Sequence, residues 1–513
     1  MTVSIHKNSS DGGWIVQKYG GTSVGKFADK VAEEIVRPNL ANNKLIVVCS
    51  ARSSDNALTQ FWIASGRLLE VFKKLRALSS HLAAEQSQCD LISEAKEIIQ
   101  SVCDEHVEAV KYVIQDPNMV EELSKEIQTE CQELTEYIMA TKRFHLEVNS
   151  RSKDRVASFG EKLSCRFMTA LLRDRGVEAE YVDLSETLHI EVANRLDATF
   201  YHNAIDKFRA RLEACEDRVP VVTGFFGNVP NGLLDGDIGR GYTDLCAALC
   251  AVAVKADELQ VWKEVEGIFT ADPTKVPTAR LLSSITPSEA AELTFYGSEV
   301  IHHLTMDQVI HAKPPIPIRI KNVKNPRGRG TIVVPDPDLA PTSQIERTRR
   351  TEDVSVKRTP KRPTAVTVKD NVFVINIHSN KRSISHGFFA KIFSILDAHH
   401  ISVDLISTSE VHVSMAIHSA SSTASFEKAE QELAECGDVS ILHDMAILSL
   451  VGAEMKNMIG VAGKMFSTLG EYNVNIEMIS QGASEINISC VIDERDATRA
   501  MNILHTNLFT FLE

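Results

Sequence analysis

Two stretches near the C-terminus match closely: Gly387-Phe-Phe-Ala-Lys-Ile-Phe-Ser-Ile-Leu396 and Gly460-Val-Ala-Gly-Lys-Met-Phe-Ser-Thr-Leu469. Their offset is 460 − 387 = 73 residues, and the same offset pairs Val403–Ser407 with Ile476–Ser480. The match then shifts by two, setting Ser409-Glu410-Val411 against Ser484-Glu485-Ile486. A repeat of this length is one compact unit whose sheet must be covered by helices or by a neighbour. Each copy reads strand, helix, strand, strand; in the first these are Phe373–Ile377, Phe388–His399, Ser402–Ser407 and Val411–Ile417. The end of the chain is therefore expected to hold two α+β domains, 364–440 and 441–513. The stretch 335–363 is rich in Pro, Thr and Arg, contains Arg347-Thr-Arg-Arg350 and lacks core residues, and reads as a linker.

Ahead of the linker, apolar strands alternate with helical periodicity. Trp14–Lys18, Leu45–Cys49, Arg218–Thr223, Glu258–Val265 and Ile316–Ile320 read as strands. From about Arg67 to Glu147 the apolar spacing is i, i+3, i+4, as in long helices, and Asp244–Val254 reads as a buried helix. This alternation predicts a mostly parallel α/β sheet over 14–334, behind a polar tail at 1–13.

Composition narrows the function. The formal net charge is −14, so the basic footprint of a nucleic-acid binder is missing. No run is apolar for the ~18–20 residues of a membrane span, and the first thirteen residues lack the apolar core of a secretory signal. The ten scattered cysteines suggest no disulfide framework and fit a cytoplasmic protein. Cys246 and Cys250 share a helix face; two thiols are too few for a metal site, and core packing is the expected role.

Four segments carry chemistry. In the first, the strand that ends at Lys18 runs into Gly20-Gly21-Thr22-Ser23. Glycines let the backbone approach phosphate oxygens, successive N–H groups form an anion nest, and Lys18 adds a compact positive charge. The spacing Gly20-x4-Gly25-Lys26 resembles a Walker A loop, but Phe27 stands where a magnesium-binding hydroxyl is required. The second is Gly239-Arg240-Gly241-Tyr242-Thr243-Asp244 at a helix start, where exposed N–H groups favour an anion. Ser158-Phe-Gly-Glu161, read as opening another helix, and Trp262–Pro273, a strand end with a glycine turn, complete the set.

In this order the four segments resemble the aspartate kinases of the amino-acid kinase superfamily, especially the fungal monofunctional type. Gly224-Phe-Phe-Gly227, Ser298-Glu-Val-Ile-His302 and Ile318-Arg-Ile-Lys-Asn322 fit the same resemblance, and the repeat looks like tandem ACT domains. The resemblance implies an amino-acid kinase fold followed by two ferredoxin-like ACT domains. It also implies transfer of the ATP γ-phosphate, with Mg2+, to the side-chain carboxylate of L-aspartate. That carboxylate has an ordinary pKa of ~3.9 and needs no base, so catalysis is charge neutralisation and positioning. Carried over by motif, Lys18 neutralises the transferred phosphoryl group and Asp244 holds Lys18. Arg240 takes the α-carboxylate and Glu161 the ammonium. Ser50, Ser65, Phe225 and Thr243 complete the pocket. Gly20, Gly21, Thr22, Ser23, Glu264, Phe269 and Asp272 lie on the nucleotide side, and His302 lies near the active site. The ACT pair implies feedback by threonine at an interface in a homo-oligomer. The effector candidates are His378, Ser379, Asn380, Gly387, Phe388, Val403 and Asp404.

Departures from the family pattern also carry expectations. Ala64-Ser65-Gly66 replaces a Thr-Thr-Ser, leaving Ser65 or Thr59 to stand in. The loop Asp235-Gly-Asp-Ile238 is longer than usual. Thr274 replaces an arginine that Lys275 could substitute. His303 replaces a proline, and Ala312–Ile318 carries extra residues with a Pro-Pro pair that resists regular pairing. The alternatives to be separated are a glutamate 5-kinase-like enzyme and a non-catalytic amino-acid-binding homologue.

Overall fold

The computed structural model describes residues 5–54, 62–79, 85–185, 187–189, 197–229, 232–236, 238–295, 301–334, 363–379, 387–418, 423–482 and 486–510. The linker assigned to 335–363, except Pro363, lies outside them, as do Thr59, Asp237, Ser298–Val300 and Asn380. The chain divides into two compact units, Met1–Gly267 with Ile301–Ala340, and Ile268–Val300 with Pro341–Glu513.

The first unit is built on strands β1 (Trp14–Tyr19), β2 (Lys44–Cys49), β3 (Ala179–Val182), β4 (Val219–Thr223), β5 (Glu258–Lys263), β6 (Ile318–Asn322) and β7 (Thr331–Val333), in the order β7-β6-β5-β1-β2-β4-β3. All adjacent pairs are parallel except β6 with β7. Parallel strands are covered on both faces, which is why β2 and β4 read as unbroken apolar runs. β6 begins at Ile318, not Ile316 as the sequence suggested, because Pro314, Pro315 and Pro317 cannot donate to a ladder.

The helices of this unit include α1 (Gly21–Lys26), α2 (Ala64–Ser79), α3 (Glu85–Val113), α4 (Pro117–Phe144), α5 (Ser150–Asp174), α6 (Ala198–Glu213), α7 (Tyr242–Val254) and α8 (His303–Ile310). The long helical region resolves into α2, α3 and α4. The break between α3 and α4 is set by Pro117 at the first helical position and by Asp116, whose side chain accepts from the Asn118 N–H at 2.9 Å. Ser158–Glu161 lies inside α5 and does not open a helix. The true start is a capping box in which Asn149 and Ser152 satisfy each other's backbone N–H groups. The two small residues Ser158 and Gly160 gave a false boundary signal; both are buried. Cys246 and Cys250 are fully buried on α7, where the Cys246 thiol donates to the Thr223 carbonyl at 3.5 Å.

The second unit holds a six-stranded antiparallel sheet. Its strands are β8 (Ala365–Ser379), β9 (Leu405–Thr408), β10 (His412–His418), β11 (Gly437–Val451), β12 (Met478–Ser480) and β13 (Asn487–Asp493), in the order β9-β10-β8-β11-β13-β12. Helices α9 (Phe388–Ala398), α10 (Thr423–Ala434), α11 (Val461–Glu471) and α12 (Ala497–His505) belong to it. The 73-residue offset is written into the backbone. Asn371 and Asp444, His400 and Asn473, and Gly387 and Gly460 all have positive φ, at 59° and 57°, 54° and 56°, and 91° and 83°. Asn and Asp tolerate this region better than most residues, and here they sit where β8 and β11 change register.

That change of register interleaves the two lobes. Ala365–Lys369 pairs with Ile447–Val451, whereas Val374–Ser379 pairs with Gly437–Leu442. Accordingly Val366 joins the core of Leu448, Met465 and Ile488, while Phe373 and Ile375 join that of Ile392 and Met415. The boundary set at residue 440 thus falls inside β11.

The segment Ile268–Val300, which the sequence reading gives to the catalytic domain, packs within this second unit. His505 lies between two threonine hydroxyls, Thr270 at 2.8 Å and Thr278 at 3.0 Å. On the helix Pro287–Phe295, Glu289 is buried and accepts from the Thr364 hydroxyl at 2.6 Å and the Ala453 N–H at 2.7 Å.

Candidate active site

In an open parallel sheet, ligands bind beyond the carboxyl ends of the strands, where the strand order reverses. β1 is that point here, flanked by β2 on one side and β5 on the other. Lys18 is the penultimate residue of β1, in register with Val48 and Val261. Its Nζ lies 2.7 Å from Asp244 Oδ1, and both side chains are mostly buried. Asp244 stands in the first turn of α7, so the helix that packs on β1 delivers the carboxylate to the lysine.

β1 is held by a buried polar ladder that the sequence reading missed. The Tyr19 hydroxyl donates to Gln17 at 3.0 Å, Gln17 donates to Gln260 at 3.0 Å, and the Trp262 indole donates to Gln260 at 3.1 Å. Each polar group is satisfied, so the ladder fixes the register of β1 against β5 without an orphan. The only available signal was a glutamine beside each apolar neighbour in two strands.

The glycine turn follows directly. A side chain at Gly21 would meet the Ala51 carbonyl oxygen at 2.1 Å, and one at Gly25 would meet that of Ser53 at 1.9 Å, so the loop lies flush on the segment after β2. At Gly20 the same space is open, which leaves room for a phosphate to approach the backbone. Ser23 is buried and donates to Glu264 Oε1 at 2.7 Å, tying the turn to the end of β5. Thr22 accepts from the Ser53 hydroxyl at 3.3 Å. Ser50 continues from β2, its N–H bonded to the Tyr19 carbonyl at 3.1 Å. Phe27, the residue that breaks the Walker-like pattern, packs against the apolar core.

Glu161 is fully buried on α5. Its Oε1 accepts from the Thr243 hydroxyl at 3.0 Å, while Oε2 makes no hydrogen bond of good geometry, although the Tyr242 hydroxyl and the Phe225 N–H lie close enough to pull on the carboxyl. Burial pushes this carboxyl up to about 7, against the opposing pull of the Tyr242 hydroxyl, Thr243, the Phe225 N–H and the Lys18 charge. A buried carboxylate with an open oxygen suits a cation that arrives with the substrate. Phe225 and Tyr242 meet edge to face at 6.4 Å beside it. Tyr242 was missed in the sequence because it reads as one more apolar residue of a buried helix.

Lys18, Asp244, Glu161, Thr243 and Phe225 are thus linked through α7 and α5, and Gly20–Ser23 and Glu264 through β1 and β5. His302 stands at the N-cap position of α8, and its ring fills the space over Gly241, where any side chain would meet it at 2.3 Å. The side chains of Ser65 and Arg240 lie outside what is described; Arg240 sits in the short turn Gly239–Gly241. Phe269 and Asp272 fall in the second unit, where Asp272 accepts from the Thr274 N–H at 2.9 Å and hydroxyl at 2.7 Å. Lys275, the candidate substitute for an arginine, pairs with Asp370 at 3.1 Å.

The effector candidates divide within one chain. His378, whose ring lies 6.0 Å from that of His412, and Ser379, bonded to Val411, sit at one end of β8. Gly387 and Phe388 open α9 just after it in sequence. Asp404 bonds to the Ala416 carbonyl, four ladder positions from His412, or about 13 Å at strand spacing. Its carboxylate is paired with Lys369 at 2.8 Å, and Val403 packs on the first lobe's core.

A pH dependence follows from Glu161. An ammonium bound at Glu161 would need the ionised carboxylate, so in that role the KM of its substrate is expected to rise about tenfold per unit as pH falls below about 7, and to level off above it. Steady-state kinetics across this range checks it; a flat profile refutes the role.

The amino acid kinase family pattern matches residues 13–322, and an ACT domain pattern matches residues 448–508. The chain is 53% identical over 508 residues to aspartate kinase FUB3 of Gibberella fujikuroi, covering 98% of this chain and 99% of that protein. It is 50% identical over 527 residues to the aspartokinase of Saccharomyces cerevisiae, covering 99% and 95%. Among solved structures, aspartokinase III of E. coli in complex with aspartate and ADP aligns with a TM-score of 0.66 at 26% identity, covering 96% of this chain and 99% of that one. The family match spans Ile268–Val300, so that segment is inherited with the kinase sequence although it packs in the second unit. Among the described residues, no helix is long and apolar enough to cross a membrane.

Proposed function

Since this chain belongs to the aspartate kinases of the amino acid kinase family, we propose that the site on β1, α5 and α7 transfers the γ-phosphoryl group of ATP to the side-chain carboxylate of L-aspartate. The observation that carries this reading is the buried Glu161 with its open Oε2, joined through Thr243 to the turn that holds Asp244 on Lys18. Glu161 takes the substrate ammonium, and Arg240 takes its α-carboxylate. Lys18 meets the charge on the phosphoryl group in flight, and Asp244 keeps that lysine aimed. Gly20–Ser23 supplies backbone N–H groups to the phosphates, with Glu264 bracing the turn. The acceptor is ionised at neutral pH, so no residue needs to remove a proton. Among the described residues, no cluster of three or more His, Cys, Asp or Glu could hold a metal. Magnesium would be held mainly by the phosphates of ATP and would neutralise part of their charge.

The second unit is proposed to bind a pathway amino acid, threonine by the fungal resemblance. The candidates His378 and Asp404 are too far apart to line one small site in a single chain. A second copy meeting edge strand β9 would unite them, and Ile406 on that strand, with Phe389 and Phe393 on α9, exposes apolar surface for it. All ten cysteines are free thiols, which supports a cytoplasmic setting.

Incubating the protein with ATP, magnesium and aspartate, and trapping the acyl phosphate with hydroxylamine, is expected to give aspartate-dependent hydroxamate. Replacing aspartate with glutamate should give none, and millimolar threonine should slow the reaction. Folded protein that makes no hydroxamate contradicts the catalytic reading; an unchanged rate with threonine contradicts the effector.

A further inference from the structure

Helix α5 carries two buried carboxylates seven residues apart, two turns along one face. Glu161 belongs to the site. Asp154 has no part in the chemistry, yet both its oxygens are engaged by one loop. The Leu234 N–H donates to Oδ1 at 3.1 Å, and the Leu233 N–H donates to Oδ2. The Leu233 carbonyl accepts in turn from the Gly239 N–H at 2.9 Å. Gly239, at φ +64°, begins the turn that contains Arg240 and leads into Thr243 and Asp244. Gly232, at φ +82°, lets the loop close on α5, since a side chain there would stand 3.0 Å from Asp154 Oδ2. Lys153 pairs with Asp235 on the loop's outer flank. The longer loop noted in the sequence is therefore clamped at one end by Asp154 and at the other by Glu161 through Thr243.

We propose that Asp154 is a positioning residue for the acceptor amino acid: through Leu233 and Gly239 it holds the turn Gly239–Thr243 in the geometry that receives the substrate, without touching it. This rests on the reading that aspartate binds at that turn. Titration agrees with the geometry. Burial pushes Asp154 up to about 6, opposed by the Leu233 and Leu234 N–H groups, raised further by Asp235 and lowered by Lys153. At the start of α7, Tyr242 is the other titratable neighbour: after burial and Glu161, the Asp154 charge adds to what raises its hydroxyl. A proton on Asp154 weakens its grip on both N–H groups, so acceptor binding should weaken in a second proton-linked step below Glu161's.

The test uses the full-length enzyme, with KM and kcat measured from about pH 5.5 to about 8.5 for wild type, Asp154→Asn and Asp235→Asn. Asp154→Asn keeps one acceptor oxygen and is expected to raise the KM for aspartate on the order of tenfold. The KM for ATP and kcat should stay within about twofold. In wild type the acid limb of the aspartate KM should steepen to two protons below about pH 6; in Asp154→Asn it should retain one. Asp235→Asn, at a partly exposed site, should move the steep limb to lower pH. A folded Asp154→Asn with wild-type KM and a two-proton limb overturns the proposal. If that variant does not fold, an unmoved limb in Asp235→Asn overturns it. Amide exchange supplies a readout independent of the acceptor, because Leu233, Leu234 and Gly239 should exchange faster in Asp154→Asn. Unchanged exchange counts against the clamp, whereas wild-type enzyme that ignores aspartate counts against the functional reading alone.

Discussion

Lys18→Ala is expected to lower kcat about a thousandfold while changing the KM for ATP only a few-fold. Removing one preorganised group that meets developing charge typically costs about 10²–10³ in rate. Lys18 adds a full charge in a mostly buried setting. The substitution also leaves Asp244 without its cation, a second negative charge near incoming phosphate. Lys18→Arg should not rescue the rate, since a planar guanidinium cannot stand in for a compact ammonium held at 2.7 Å from a single carboxylate oxygen. Because the proposed role of Asp244 is to hold Lys18, and its unpaired charge is what the single variant leaves behind, the double variant Lys18→Ala/Asp244→Ala should be no slower than Lys18→Ala alone. Hydroxamate formation under saturating substrates measures all three. A Lys18→Ala enzyme that keeps more than about a tenth of wild-type kcat would remove the lysine from the mechanism.

Glu161→Gln should raise the KM for aspartate about a hundredfold, with kcat and the KM for ATP little changed. In the proposed role, exchanging the carboxylate that meets the substrate ammonium for a neutral amide weakens binding by about 2–3 kcal/mol, and 1.4 kcal/mol is tenfold. The acid limb of the KM profile near pH 7 should vanish with it. Stability should move the other way. The folded carboxyl titrates at about 7 against 4.5 for the free group, so the native state holds a proton that the unfolded chain releases. Glu161 therefore favours folding below about pH 4.5, and this contribution is lost as pH rises through about 7. Above about 7 the glutamine variant should melt no lower than wild type. Thermal melts at about pH 6 and about pH 8 read this directly. A variant with unchanged aspartate KM would mean that the ammonium binds elsewhere.

Local chemistry in this chain was legible where it obeyed short-range rules. The alternation around β1, β2 and β4 gave parallel strands because both faces are buried, and Lys18 before two glycines is the pattern on which the proposed phosphate contact rests. The 73-residue offset announced the twin lobes. What stayed hidden depends on which side chains meet across long separations. Nothing in Gln17 or Gln260 alone says that they bond, and Tyr242 looks apolar until Glu161 is placed beside it. Asp154 sits in an ordinary helical run, and its partners are backbone N–H groups, which leave no trace in residue identity. The start of α5 was missed because Gly160 and Ser158 resemble a boundary, while the real one is the less conspicuous Asn149-x-x-Ser152. Phe269 and Asp272 show a different limit: a motif contiguous with β5 in sequence folds with another core.

The exchange of strand halves between β8 and β11 bears on heredity as well as on packing. A crossover or gene fusion at residue 440 would cut β11 within its ladder and leave the second lobe without Ala365–Lys369, which lies far upstream. Neither repeat is a cassette that can be traded by a single breakpoint. The two copies are free to differ in sequence but bound to travel together.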